Sequence, residues 1–475
     1  MRAGKCAVST LPAVFLFFGH PAFFFPIMLK QLLLLTGGLT LALTTQAQWT
    51  TQTVPYAGQG LTTNYLDAVD AQVCWAAAVD QQLFTTQHQY ARTTDGGTTW
   101  TVGDISGLGA NEYVSAIAGL SATTAVVATR TDGVNGRLLR TTDGGATWTV
   151  CTTATQLNSS RSYPLYLHFF DAQNGLCIGD AITEGNTSTF ELYRTTNAGL
   201  TWTRVPTANL PALLSSEELR GYPNSFGNSY WFITDKGRVF RSADAGLTWA
   251  VSTPNLGNFV QSVAFRDANN GVAVAVSTTS TNHRLVSSAD GGATWLPVTY
   301  AGPLRGWSLE YVPGTTTLLA VGINRYGANG DQGSSISQNN GLTWQGLENT
   351  KEHIVLDAAA AGGVWTGAFN SDTGEGLGVY KLNPTVLSAR ASSALQSSLR
   401  VAPNPATGGR FRVYTGLATA TPVQVQVSDA LGRPVFTFAG TGTQLPVDLS
   451  GQAAGLYVVR LQTAEGSATQ KLLVR

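Results

Sequence analysis

The chain has 475 residues, enough for several ordinary domains or for one large β architecture with an appendage. Only 12% of residues are charged, and 28 basic side chains cancel 28 acidic ones, which excludes a basic nucleic-acid surface and an acidic solvating tail. The 52 glycines, with abundant Thr and Val, favour strands and tight turns, and runs of helix formers at helical spacing are missing.

Residues 1–47 read as a leader. "MLKQLLLLTGGLTLALTTQAQW" carries Lys30, an apolar stretch from Leu32 to Leu43, and Thr45 and Ala47 at the −3 and −1 positions of a cleavage site, so cleavage is expected after Ala47. Prolines and a phenylalanine run precede it, and Met28 is the expected true start. A transmembrane anchor is the rival reading, but His20, Pro21, Pro26 and Lys30 interrupt any apolar helix of about 20 residues. No transmembrane anchor is expected after leader removal. The remainder keeps Cys74, Cys151 and Cys177, an odd number without tight spacing, which suits neither a disulfide framework nor a metal site. All three are read as small buried strand residues.

From residue 48 the chain repeats. The box Thr-x-Asp-x-Gly-x-Thr-Trp stands complete at Thr93–Trp100 and Thr141–Trp148. Ser replaces the first Thr at Ser242–Trp249 and Ser288–Trp295, and Asn replaces Asp at Thr195–Trp202 and Ser337–Trp344. The acidic or amide positions Asp95, Asp143, Asn197, Asp244, Asp290 and Asn339 recur at about 50 residues, the period of one four-stranded propeller blade. Ahead of two boxes, "YLHFFDAQNGLCIGD" and "QSVAFRDANNGVAVAV" read as strand, turn and strand, with Asn-Gly expected to turn through positive φ. Within the box, the Asp or Asn side chain is expected to accept a backbone N–H two residues on. Gly97, Gly145 and their counterparts are expected in the left-handed region, where a Cβ is opposed. Trp100, Trp148, Trp202, Trp249, Trp295 and Trp344 are expected to bury between blades. A catalytic role for the box is the alternative; six copies, two without the carboxylate, count against it.

Six boxes suggest six blades, yet "HIVLDAAAAGGVWTGAF" and "GLGVYKL" supply three strands after Trp344. "AQWTTQTV" at the mature N-terminus supplies a fourth, since it matches the "TTWTVG" that ends the first box. The expected fold is all-β: a seven-bladed β-propeller over residues 48–382, closed by its N-terminal strand, with a six-bladed propeller as the alternative. Closure removes exposed sheet edges. Residues 383–400, rich in Ser and Ala, read as a linker, and residues 401–475 alternate as the strands of a small C-terminal β-sandwich.

Two resemblances attach to these motifs. "PNP" at Pro403–Pro405, "VSDALGRPV" at Val427–Val435, "GLYVVRL" at Gly455–Leu461 and the final "KLLVR" resemble the type IX secretion C-terminal sorting domain of Bacteroidota. That resemblance implies the type IX secretion machinery as a partner, export across the outer membrane, removal of the domain, and surface attachment or release. The repeats resemble the Asp-box (BNR) propellers of sialidases, some glucanases and photosystem II assembly factors, a likeness that implies fold and leaves function open.

Ligands of propellers meet the face built from the loops between blades and between second and third strands, opposite the boxes. On that face "RSY", "RGY" and "RGW" place Arg161, Tyr163, Arg220, Tyr222, Arg305 and Trp307 where the innermost strands begin, with Asn111–Tyr113 and Lys351–His353 at equivalent places. Arg offers a fork for carboxylate or phosphate and aromatic rings offer stacking; the other reading is that these residues pack loops. A sialidase would draft Arg161, Arg220 and Arg305 for the substrate carboxylate, Tyr222 as nucleophile and Glu217 or Glu218 as its partner, although the family's Arg-Ile-Pro signature is absent. Paired acids for a glucanase are harder to place, since Asp67 and Asp357 recur at equivalent sites as the repeat itself would produce. Asp180, Glu184 and Glu191 flank a polar loop, with plain solvation as the other reading; Asn186–Ser188 matches a glycosylation sequon; and residues 322–335 form a Gly-rich loop read either as a contact for a protein or glycan or as neutral surface. No cofactor and no metal is expected. The expected function is a secreted or surface-displayed binding module for a protein or glycan; the alternative is an exported glycoside hydrolase, sialidase-like or glucanase-like.

Overall fold

A computed structural model describes residues 48–475 apart from 59, 81–85, 185–186, 278–280, 325–329, 360–362, 371–374, 385, 387–394, 418–421, 430–433 and 464–465. Residues 1–47, read as a leader and including Met28, lie outside the described residues, as do Asn186, part of the 322–335 loop and the side chain of Glu184.

Among the described residues, seven four-stranded blades follow one another along the chain, the fourth and fifth joined by one parallel bridge between Tyr222 and Ser262. Their innermost strands are Leu61–Ala68, Glu112–Gly119, Pro164–Phe169, Leu219–Phe226, Val260–Phe265, Ser308–Tyr311 and Glu352–Ala358, in blades 1 to 7. In blades 1 to 6 the chain runs outward strand by strand. Blade 7 takes its outermost strand from the other end of the chain: Trp49–Gln52 pairs antiparallel with Glu375–Leu382, Trp49 opposite Leu382 and Gln52 opposite Val379. This explains six boxes for seven blades. The box is the turn between third and fourth strands, and in blade 7 those strands are not consecutive. Second strands are buried on both faces because each blade is sandwiched between two others; "GVAVA" at Gly271–Ala275 is buried throughout.

The boxes are closed by local hydrogen bonds. Thr93 Oγ1 donates to Asp95 Oδ1 (2.9 Å), and the same hydroxyl accepts the Gly97 N–H (2.8 Å). Asp95 in turn accepts the N–H and hydroxyl of Thr99 at 2.9 and 2.6 Å. The carboxylate therefore reaches four residues on, and not the two residues expected. The copies at Asp143, Asp244 and Asp290 repeat these bonds, and at Asn197 and Asn339 the amide Nδ2 donates to Thr201 and Thr343 where Asp would accept. These bonds hold Asp95, Asp143 and Asp290 down at about 2. Gly145 has φ 94°, and a Cβ there would lie 2.1 Å from the Tyr90 ring. Trp148 of blade 2 meets Trp75 and Tyr90 of blade 1 edge-on at 6.4 and 5.6 Å, and Trp100 of blade 1 meets Trp365 of blade 7 at 5.9 Å. Trp202, Trp249 and Trp344 are buried likewise, whereas Trp295 is only half-buried.

The Asn-Gly turns also differ from expectation. Neither Asn174 nor Asn270 has positive φ. The turns are instead pinned by Asp171 and Asp267, whose Oδ1 atoms accept two backbone N–H groups each, from Gln173 and Asn174 and from Asn269 and Asn270, at 2.7–2.9 Å. Gly175 and Gly271 are needed for room: a Cβ would meet the rings of their strand partners Phe169 and Phe265 at 2.7 and 2.4 Å. Cys74 and Cys177 are buried strand residues, while Cys151 is half-buried just beyond its strand.

Residues 400–475 form two sheets, one of three strands and one of four, whose inner faces share a core of Val, Leu and Phe. Leu395 and Leu399 pack into that core, so the segment read as a linker ends inside the sandwich.

Candidate functional site

The innermost strands converge on the propeller axis. In six blades they are bulged near their start, for instance between Thr63 and Tyr65, Arg220 and Asn224, and His353 and Leu356. A bulge sharpens the local twist and re-aims backbone and side chains, here into an axial cavity of about 950 Å³. Besides Asp171 in a turn at its edge, its wall carries three carboxyls from neighbouring blades, Asp67, Glu310 and Asp357.

Each carboxyl is tied into the ring. Asp357 Oδ2 accepts the Ala68 N–H (2.5 Å), Asp67 Oδ2 accepts the Gly119 N–H (2.6 Å), and Asn224 Oδ1 accepts the Phe265 N–H (2.7 Å). The Asn224 amide then donates to both oxygens of Glu310 at 3.0 Å. Burial pushes Asp67, Asp357 and Glu310 upward, and the Asp357 charge adds to the rise of Asp67 and Glu310. His168, on the same wall, lies against Phe170 and Tyr230 at 4.8 and 5.3 Å, and burial pushes it down to about 4.

One end of the cavity is crossed by a bar. Tyr222 Oη of blade 4 donates to the Ile354 carbonyl of blade 7 (2.6 Å), and Trp307 Nε1 of blade 6 reaches both that carbonyl (2.7 Å) and Tyr222 Oη (2.9 Å). At the other end the wall runs out through the turns between first and second strands, at Val69, Leu120, Asp171, Gly227, Arg266 and Pro313. From the loops that lead into the innermost strands it takes, among the described residues, Trp307 alone. The cavity therefore opens on the box side of the molecule, opposite to the face expected.

Of the residues singled out on that expected face, Arg220, Tyr222 and Trp307 line the cavity. The others do not join them. Arg161 is exposed and pairs with exposed Glu218 at 3.7 Å. Tyr163 Oη accepts the Gly133 N–H (3.1 Å), and the Arg130 guanidinium lies 5.1 Å from its ring. Arg305 is 8% exposed and donates to the Gly330 carbonyl (2.9 Å). The three arginines thus form no ring around the axis.

Glu217 is buried away from the cavity. It accepts Thr234 Oγ1 (2.6 Å), the Leu214 N–H (2.9 Å) and the Arg238 guanidinium. Glu112 of blade 2 makes the same set with Thr129, the Gly109 N–H and Arg137. A clasp repeated in two blades belongs to the architecture. Glu191 is buried beside Tyr193 (3.0 Å), and Asp180 accepts the Ala181 and Leu219 N–H groups at 3.1 and 3.3 Å.

Sequence reasoning passed over Glu310 and Gln261. A signal for Glu310 existed: "YLDAV", "SLEYV" and "VLDAA" each place an acid after Leu near the end of an innermost strand. For Gln261 there was none.

No curated protein matches the sequence. Among solved structures, YCF48 from Cyanidioschyzon merolae is similar at TM-score 0.51 and 14% identity over 71% of this chain and 99% of that one. YCF48 bound to D1 peptide follows at 0.49 and 14% over 71% and 95%, and the GH74 enzyme of Niastella koreensis at 0.44 and 15% over 87% and 66%. At 14% identity the likeness to YCF48 from Cyanidioschyzon merolae speaks for the fold alone. Residues 400–475 match the secretion system C-terminal sorting domain, so the chain carries a sorting tail that directs it to the cell surface or beyond.

Proposed function

We propose that this exported propeller is a binding protein that takes a segment of a protein or glycan ligand into its axial cavity. One observation carries the reading: a cavity of about 950 Å³ gathers aromatic rings, buried carboxyls and other polar groups on one wall, a concave site of ligand size. The groups drafted for sialidase chemistry are spent elsewhere, Glu217 on Arg238 and Tyr222 on the Ile354 carbonyl.

Glycoside hydrolysis is the second reading, favoured by Asp67 and Asp357, neighbouring acids held toward the neutral form as a general acid must be. It stands behind the first because both acids hold the next blade's backbone, a task that Asn224 performs between blades 4 and 5.

The test applies the full chain to peptide and glycan panels beside a Gln261→Trp variant, which narrows the cavity, and assays sialoside and glucan turnover. Binding that Gln261→Trp abolishes, without turnover, is the expected result. Turnover that Asp67→Asn abolishes would replace binding by hydrolysis.

A further inference from the structure

Three carboxyls meet in the axial cavity and no cation answers them. Among the described residues of the wall the cationic side chains are Arg220 and Arg266. Arg220 lies over the Phe259 ring at 5.7 Å, and Arg266 is taken up by Asp267 (3.3 Å) and Asn340 (2.9 Å). Lys381 is spent on the carbonyls of Ala71 and Gly96. Buried acids are ordinarily paired with a cation or forced neutral. Among the described residues, Asp67, Asp357 and Glu310 have backbone and amide donors only.

A second, independent observation points to an occupant. Gln261 is 7% exposed and lines the cavity, yet its side-chain amide has no hydrogen-bond partner among the described residues. Tyr65, Tyr166 and Tyr230 belong to the same wall, and aromatic rings attract cations.

The shape decides between occupants. The Tyr222–Trp307 bar crosses one end, and the wall opens at the other. A blind hole with acids in its wall suits a long, flexible cationic side chain projecting from an extended segment. A neutral sugar supplies no charge to draw the acids into their ionised form.

We propose that the cavity receives a basic side chain of a protein segment, an ammonium or guanidinium bound by Asp67, Asp357 and Glu310, while Gln261 bonds a polar group of the same segment. The inference rests on the axial cavity being the ligand site. It adds the chemistry of the ligand and the side from which it enters.

The experiment titrates the full chain with tetralysine, with its fully acetylated counterpart and with a chitosan tetramer, at one pH and ionic strength. Tetralysine is expected to bind about thirtyfold or more tightly than the acetylated peptide, the factor carried by losing one partner of a buried charge pair. Asp67→Asn and Glu310→Gln keep an oxygen for the Gly119 and Asn224 bonds and are each expected to lose a similar factor. Asp104→Asn, on an exposed acid, is expected to leave affinity unchanged, and melting curves report whether each variant is folded. Equal affinity for the two peptides, no binding of either, or folded Asp67→Asn and Glu310→Gln proteins that bind tetralysine normally, overturns the proposal. Tighter binding of the chitosan tetramer overturns the choice of a peptide. An uncharged ligand lost in Gln261→Trp would overturn the basic side chain but keep the cavity. Tetralysine binding that Gln261→Trp leaves intact would remove both.

Discussion

Replacing Trp49 by Ala tests how the propeller closes. Trp49 begins the strand that completes blade 7 and occupies the place of a box tryptophan there. It is 2% exposed, packs with Leu319, Val321 and Ile336 of blade 6, lies 4.9 Å from the His353 ring and donates its Nε1–H to Ser334 Oγ at 2.8 Å. Ser334 keeps Glu348 as a partner at 3.1 Å, so the substitution strands no hydroxyl and the loss is that of the buried ring. Truncating a buried Trp costs about 3–5 kcal/mol. With unfolding entropy of about 2.1 cal/mol/K per residue over roughly 330 propeller residues, about 4 kcal/mol lowers Tm by about 6 °C. Calorimetry of the full chain and of Trp49→Ala measures this. A Tm within about 1 °C of the parent would mean that the strand does not close the ring, because no buried Trp is lost so cheaply. Trp295→Ala, at the half-buried box tryptophan, is expected to shift Tm less than Trp49→Ala in the same assay.

Gly145→Ala places a methyl group 2.1 Å from the Tyr90 ring at φ 94°, while Gly133→Ala at φ 72° meets nothing within 4 Å. Both carry the left-handed penalty of about 1–2 kcal/mol, so a urea midpoint clearly lower for Gly145→Ala isolates the clash, and equal midpoints would refute it. Glu217→Ala strips Arg238 of its buried partner and is expected to cost about 3–5 kcal/mol in urea unfolding; a loss below about 1 kcal/mol would show the clasp to be dispensable. The folded-state pKa of Asp67 is raised, so the native protein holds the proton more tightly than the unfolded chain. Its burial is harmless below the ordinary carboxylate pKa of about 4 and becomes destabilising as pH rises through and above that range. Asp67→Asn is therefore expected to gain Tm relative to the parent between about pH 5 and about pH 8, and a difference independent of pH would contradict the burial of an ionisable acid there.

Much of the architecture was legible because its determinants are local. The box is closed by bonds that span two to four residues, Thr93 to Asp95 and Asp95 to Thr99, so the same short string folds into the same turn six times and counts blades. The bond partners themselves were misread: the carboxylate reaches past Gly97 to Thr99, and the Thr93 hydroxyl takes the Gly97 N–H. In the hairpins, the aspartate at the turn proved decisive where Asn-Gly had been expected to bend.

The site was less legible because its residues meet only when the ring closes. Adjacent residues Glu217 and Glu218 have identical chemistry, yet one is clasped by Arg238 beneath the surface and the other pairs with Arg161 in solvent. Residue type gives no hint of that choice, since it depends on side-chain direction and on a partner in another strand. The sequence by itself determined the repeat, the turns, the tryptophans between blades and the sorting tail, all carried by short-range pattern. Only the tertiary structure decided that Asp67, Asp357 and Glu310 share one cavity, that Tyr222 and Trp307 bar one end of it, and that it opens on the box side. These residues stand up to 290 positions apart, and the circular order of blades, which no local pattern encodes, sets them face to face.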